Sequence, residues 1–183
     1  MTPNEVYTLV RNQVAETSPS FWGESEIYSL LSNAEALLAS EIDCTEVTAT
    51  DVSAPNVREY TRPTAALRIS RITWDNTKLK KINFTDVDKI EGDTQDFGDP
   101  VYYYEYGSSI GIVPTPTQVK TIKYYYLKKP VALSASSTAF TIPSEFGQYL
   151  VDFVLYYMLL KDQSELAQTH IQLWQKLFGE TTF

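Results

Sequence analysis

Twelve consecutive residues, Tyr149 to Leu160, are apolar except for Asp152. Such a run offers no polar face at either the helical or the strand period, so it must be covered on most sides. It is also well short of the roughly 20 apolar residues needed to cross a bilayer. Ile142-Pro143-Ser144-Glu145 stands ahead of it as a helix start, with proline in the first turn. We therefore expect a helix over 143–161, buried inside the fold or against neighbouring subunits.

Its covering partners are readable at both ends of the chain. Thr2-Pro3-Asn4-Glu5 is a capping box, and Val6, Leu9, Val10 and Val14 follow at helical spacing, predicting a helix over 2–16 that Ser18-Pro19-Ser20 ends. A second helix, 24–42, has Gly23 as N-cap and Glu26 at the third position. Trp22 is placed to pack on Ile27 as a hydrophobic staple. Ile27, Leu30, Leu31, Ala34, Leu37 and Leu38 form its apolar stripe. Asp162-Gln163-Ser164-Glu165 is a further capping box and opens a last helix, 163–178, with Gly179 as the residue that ends it.

Between these helical ends, from about 44 to 133, the texture changes. Residues 44–52 are β-branched and alternating, and short strand-like runs follow at 57–60, 66–74 and 78–82. Residues 85–99 read as a polar, acidic loop with about one helical turn. Val101 to Pro130 holds seven tyrosines and four lysines, divided by turn residues into strands at 101–106, 110–113 and 119–127. The expected fold is therefore α+β, in one domain spanning 1–183. A four-helix core, from two N-terminal and two C-terminal helices, carries an antiparallel, β-rich insertion.

The tyrosines admit two uses. Exposed in a basic groove they would stack bases or sugars. Alternating on strands, Tyr102, Tyr104 and Tyr106 share one face and Val101 and Tyr103 the other, while Ile122, Tyr124 and Tyr126 share a third, which suits a packed meander. The net charge of −8 opposes general affinity for phosphates. Residues 1–55 carry a net of −8, residues 56–130 a net of +3 and residues 131–183 a net of −3. Acidic ends flanking a mildly basic middle are compatible with head-to-tail association.

Enzymatic chemistry has little material. Seven glycines are scattered, so no phosphate-cradling loop is present. With one histidine, His170, and one cysteine, Cys44, Cys/His zinc sites and Cys-His catalysis lack material. His170 lies between Leu166 and Leu173 at helical spacing, the setting of a packed or interface histidine. Asp86 to Asp93 imitates a calcium loop, but Ile90 occupies a ligand position and Glu91 the place of the required glycine. Glu24 and Glu26 are carboxylates favoured by a helix N-terminus. We expect no catalytic residue, no cofactor and no metal. The lone Cys44 fits a reducing compartment, and the start MTPNEVYTL shows no secretory leader.

The order of features resembles that of a known group. FWGESEIYSLLSNAEALLASEI is followed by VREYTRPTAALRISRITWDNTKL. After the acidic loop come GDPVYYYEYGSSIGIVPTPTQVKTIKYYYLKKPVAL and FTIPSEFGQYLVDFVLYYMLL. Over about residues 20 to 175 this looks like the head-to-tail adaptor (connector, neck or head-completion) proteins of tailed bacteriophages. The resemblance implies a structural, non-enzymatic virion protein at the neck, made in the bacterial host cytoplasm. Its implied partners are the portal protein, stopper or tail-completion proteins, and further copies of itself. Those copies form a closed ring, usually of twelve, through which DNA passes, and no membrane is involved. The alternative is a nucleic-acid- or carbohydrate-binding module built on the tyrosine sheet. Ile171, Trp174 and Phe178 form a second apolar stripe beside Leu166, Leu173 and Leu177. With Phe183, these three are the expected portal-side contact.

Overall fold

The computed structural model describes residues 1–16, 21–92, 95–162 and 166–176. They form a mixed α+β protein in which the chain divides into two compact units. One is helical, residues 1–45 and 129–183, and the other is β-rich, residues 46–128.

The helical unit is built around the apolar run. After a short 3-10 turn at Ser144–Phe146, the run forms helix α4, Gly147–Lys161; helices α1 (Pro3–Gln13), α2 (Glu24–Glu41) and α5 (Ala167–Gln175) accompany it. Leu150, Val151, Phe153, Val154, Leu155 and Met158 of α4 share one core with Val6 and Val10 of α1 and with Ile27, Leu31 and Leu38 of α2. Trp174 of α5 joins the same core. The all-round apolarity of α4 is thus met by three helices.

The ends of α1 and α2 follow the expected local chemistry, with one shortening. Thr2 Oγ1 accepts from the Glu5 amide and the Glu5 carboxylate accepts from the Thr2 amide, completing the capping box. The expected helix over 2–16 closes at Gln13, because Ala15 turns into the left-handed region at φ 56°. Glu16 is then available to pair with the buried Arg11, 3.3 Å away. Arg11 also donates to the Tyr7 hydroxyl and to the Trp22 carbonyl, both at 2.6 Å, tying α1 to the start of α2. Gly23 is the N-cap of α2, and Trp22 and Ile27 on either side of it are both buried, the arrangement of a staple. The capping box at 162–165 and Gly179 lie outside the described residues, apart from Asp162.

The β-rich unit is two packed four-stranded sheets. One has the order β1 (Glu46–Val52), β8 (Thr121–Lys128), β3 (Ala66–Trp74), β4 (Thr77–Lys78). The other runs β2 (Glu59–Thr61), β7 (Ser109–Val113), β6 (Tyr102–Tyr106), β5 (Lys80–Lys81). The strand expected at 78–82 is broken at Leu79, where the chain leaves the first sheet and enters the second. Buried Leu79 fills the core at that crossing. A second difference follows from it. β5 lies parallel to β6, so the insertion is antiparallel everywhere among the named strands except at this edge. Asp75 and Asn76, at φ 48° and 66°, make the two-residue turn joining β3 to β4, a hairpin geometry that short polar side chains tolerate.

The residues of the tyrosine segment are distributed as their alternation demands. Tyr103, Ile110 and Ile112 face inward and meet Ile72, Trp74, Ile122, Tyr124 and Tyr126 from the other sheet. Tyr104 and Val113, on the opposite face of the second sheet, are covered by Val87 from the short helix α3, Val87–Glu91. Both faces of that sheet are therefore packed. The acidic loop that contains α3 supplies this cover. It is held by Glu91, which accepts from the Arg58 guanidinium, while Arg58 also bonds Thr115 at 3.1 Å.

No helix among the described residues is long and apolar enough to cross a membrane.

Candidate partner interface

The residues expected to meet a partner are those of the last helix. In the helical unit Trp174 is only 4% exposed, and its ring packs on Phe153 of α4 at 5.2 Å between centroids. Ile171 is half-buried against the same core. Phe178 and Phe183 lie outside the described residues. The two apolar stripes of α5 thus divide clearly: Ile171 and Trp174 turn to α4, and Leu166 and Leu173 turn to solvent, 64% and 41% exposed.

Polar chemistry fixes that orientation. His170 Nδ1 stands 3.2 Å from Asp152 Oδ1, joining α5 to the single polar residue of the apolar run. Asp152 is itself mostly buried, and a buried carboxylate needs such a partner. His170 is therefore a packing histidine between two helices.

A second apolar surface lies on the same unit. Leu30, Asn33, Ala36 and Leu37 of α2 and Phe153 and Tyr157 of α4 line a cleft of about 430 Å³. Leu37 and Tyr157 at its rim are 43% and 41% exposed, and Leu160 of α4 is 47% exposed. Helical spacing puts Leu37 on the core stripe of α2. The helix is slightly rotated from that reading, with Glu35 taken inside. An exposed leucine and a buried glutamate on one amphipathic helix are not separable by spacing alone.

Glu35 is fully buried and acts as an anchor. One carboxylate oxygen accepts from the amides of Thr141 and Ile142, the latter at 3.1 Å, just ahead of the 3-10 turn that opens α4. Burial pushes its carboxyl above the usual range, opposed by the two amide bonds. Burial likewise raises the Cys44 thiol.

The tyrosine segment presents little stacking surface. Tyr103, Tyr104, Tyr124 and Tyr126 are buried, Tyr102 and Tyr125 are half-buried, and Tyr106 alone of the seven is exposed. Even Tyr106 rests on Phe84 at 4.5 Å. Tyr125 lies on the outer face of the first sheet beneath Arg71 and Lys123, at 5.3 and 4.9 Å from its centroid. A platform of free rings for bases or sugars would need these side chains at the surface.

The calcium-like stretch does not assemble as a loop of ligands. Asp86 pairs with Lys89 at 2.6 Å and Glu91 with Arg58, while Asp93 is outside the described residues. Among the described residues no group of three or more His, Cys, Asp or Glu is placed to hold a metal ion.

What the geometry offers is surfaces: exposed leucines on α5, an apolar cleft between α2 and α4, a β-rich unit of no net charge and an acidic helical unit. Searching curated proteins finds no match. The profile of the SU10 adaptor protein family, in contrast, matches residues 1–182, both units together. The chain therefore belongs to the SU10 adaptor protein family and is a bacteriophage adaptor, a structural component of the head-to-tail interface that meets other head and tail proteins.

Proposed function

We propose that this adaptor forms a closed ring of twelve identical copies beneath the portal.

 The ring extends the DNA channel and gives stopper or tail-completion proteins a surface to dock on. The observation that carries this reading is the family match over residues 1–182. Three physical features support it. Leu37 of α2 and Tyr157 and Leu160 of α4 stay exposed on the helical unit, apolar side chains that a neighbouring copy would cover. A heterologous ring interface brings two different surfaces of the same chain together, and the acidic and basic regions of this chain are separate. A net charge of −8 suits a channel that DNA must traverse without adhering, because adhesion grows with the number of phosphates neutralised.

The portal-side contact is assigned to α5 and the residues that follow it. Ile171 and Trp174 hold the helix on α4 and Leu166 and Leu173 are its outward side chains; Phe178 and Phe183, outside the described residues, are proposed for the same contact. The test is negative-stain imaging of the chain mixed with its portal. A ring of density beneath the portal is the expected result, lost in a Leu166→Ser/Leu173→Ser variant that still folds. A portal that stays bare with the unaltered chain overturns the adaptor-ring reading. Full assembly of the double variant overturns the assignment to α5.

A further inference from the structure

The β-rich unit carries a basic pocket that its own carboxylates leave largely uncompensated. Arg71, Lys78, Lys80 and Lys81 line a concavity of about 360 Å³, with Leu79 and Tyr103 among its apolar walls and Ser70 at its edge. The geometry follows from the strand crossing at Leu79. Lys78 ends the short β4 of one sheet and Lys80 begins β5 of the other, so anchoring Leu79 in the core presents both lysines together. Arg71 arrives from β3, beside a register irregularity between Ile69 and Arg71.

The charge of the pocket is mostly unneutralised. Lys81 is bound to Glu105 at 2.6 Å, and Glu105 also faces Arg62 at 3.4 Å. Among the described residues Arg71, Lys78 and Lys80 form no ion pair, and Arg71 instead lies over Tyr125. Like charges gathered without counter-charges cost stability, so their grouping in a concave site favours an anionic occupant.

Two occupants carry that chemistry, a nucleic-acid backbone and an acidic protein surface. The distribution of charge over the whole chain decides between them. The β-rich unit holds eleven basic and eleven acidic residues and is neutral. The helical unit holds four basic and twelve acidic, a net of −8. A chain of net −8 is a poor partner for a polyanion, whereas a second copy brings that acidic excess as its docking surface. Glu24 and Glu41, at the two ends of α2, are exposed carboxylates of the helical unit and form no ion pair among the described residues.

We infer that the Arg71–Lys78–Lys80 pocket receives the acidic helical unit of a second copy of this chain. This rests on the reading of the protein as a ring-forming adaptor and names the surface through which adjacent copies meet. Charge complementarity of this kind sets register and speeds encounter more than it adds affinity, and it weakens as salt rises.

The test uses the full chain, mixed in equal parts as unlabelled and nitrogen-15-labelled protein, free and assembled on its portal. A carbodiimide is added, which joins an amine to a carboxylate only where they touch. The expected products are mixed-isotope crosslinks from Lys78 or Lys80 to carboxylates of the helical unit, Glu24 and Glu41 foremost. They should be lost in 1 M salt, where the Debye length falls to about 3 Å. They should be lost equally when Arg71→Glu is introduced, which leaves both lysine amines available to react. Intermolecular crosslinks that bypass Lys78 and Lys80 overturn the pocket while leaving the ring intact. The absence of any intermolecular crosslink, on the portal as well as in solution, overturns both. Saturable binding of a labelled oligonucleotide that is lost on Lys78→Glu/Lys80→Glu assigns the pocket to nucleic acid and overturns the proposal.

Discussion

The ring of Tyr104 lies against Gly111 on the neighbouring strand, the two residues being cross-strand partners in the β6–β7 ladder. A β carbon at Gly111 would stand 2.0 Å from Tyr104 Cζ and 2.4 Å from its hydroxyl oxygen, so the absence of a side chain there makes room for the tyrosine. With Tyr104 sealed by Val87 and its hydroxyl donating to Glu59 at 3.1 Å, the ring has nowhere to retreat. Gly111→Ala should therefore destabilise the protein by about 1–3 kcal/mol, the usual range for overpacking a core. Denaturant unfolding measures it. In a cycle with Tyr104→Leu the two changes should be non-additive, because shrinking the ring relieves the clash.

Tyr104 also makes stability fall in alkali. Burial, then the nearby Glu59 charge and hydrogen bond, push its phenol up to about 12, and burial raises Tyr124 as well. Both are raised above the unfolded value of about 10, so the folded state holds these protons more tightly. Their contribution is complete below pH 10 and is lost as pH rises through the folded values. Unfolding midpoints should drop steeply from pH 10 upward. The drop should be smaller in Tyr104→Phe, and an ultraviolet titration of the folded protein should show fewer phenols ionising near pH 10 than in denaturant.

The buried carboxyl of Glu35 gives a dependence of the same sign at lower pH. Its folded pKa is raised from 4.5, so its contribution is present in acid and declines as pH climbs through the folded value. Glu35→Gln keeps an oxygen for the amides of Thr141 and Ile142 but cannot ionise. Compared with the unaltered chain, this variant should gain relative stability between pH 4.5 and neutrality. Glu35→Ala should cost about 1–3 kcal/mol at every pH, since it strands two buried amides. Thermal melts across this pH range separate the two outcomes.

Trp174→Ala should cost about 3–5 kcal/mol, the range for removing a large buried aromatic. Because Trp174 is a buried aromatic contact of α5 with Phe153, amide exchange in Ala167–Gln175 should accelerate more than in α2. Leu173→Ala on the outward side of the same helix should change stability by no more than about 0.5 kcal/mol. Hydrogen exchange read by mass spectrometry distinguishes these two faces.

Much of this fold is legible in local sequence because its signals are local. A capping box at Thr2–Glu5, a staple around Gly23 and a twelve-residue apolar run specify their helices through neighbouring residues alone. Alternation in Tyr102–Tyr106 assigns its two faces correctly for the same reason. The order of these elements was enough to suggest the phage adaptor family that the profile match shows.

Tertiary structure decided what depends on contacts distant in sequence. Whether Ile171 and Trp174 or Leu166 and Leu173 face the core is set by Phe153, Asp152 and the rest of α4, and both stripes of α5 are apolar enough for either role. The packing of both faces of the second sheet depends on α3, which periodicity within β6 cannot report. The break at Leu79 that sets Lys78 and Lys80 side by side arises because the two sheets compete for one strand, and the buried leucine serves the core between them. Local propensity chose the elements; long-range packing chose which faces they bury, and so which surfaces remain for partners.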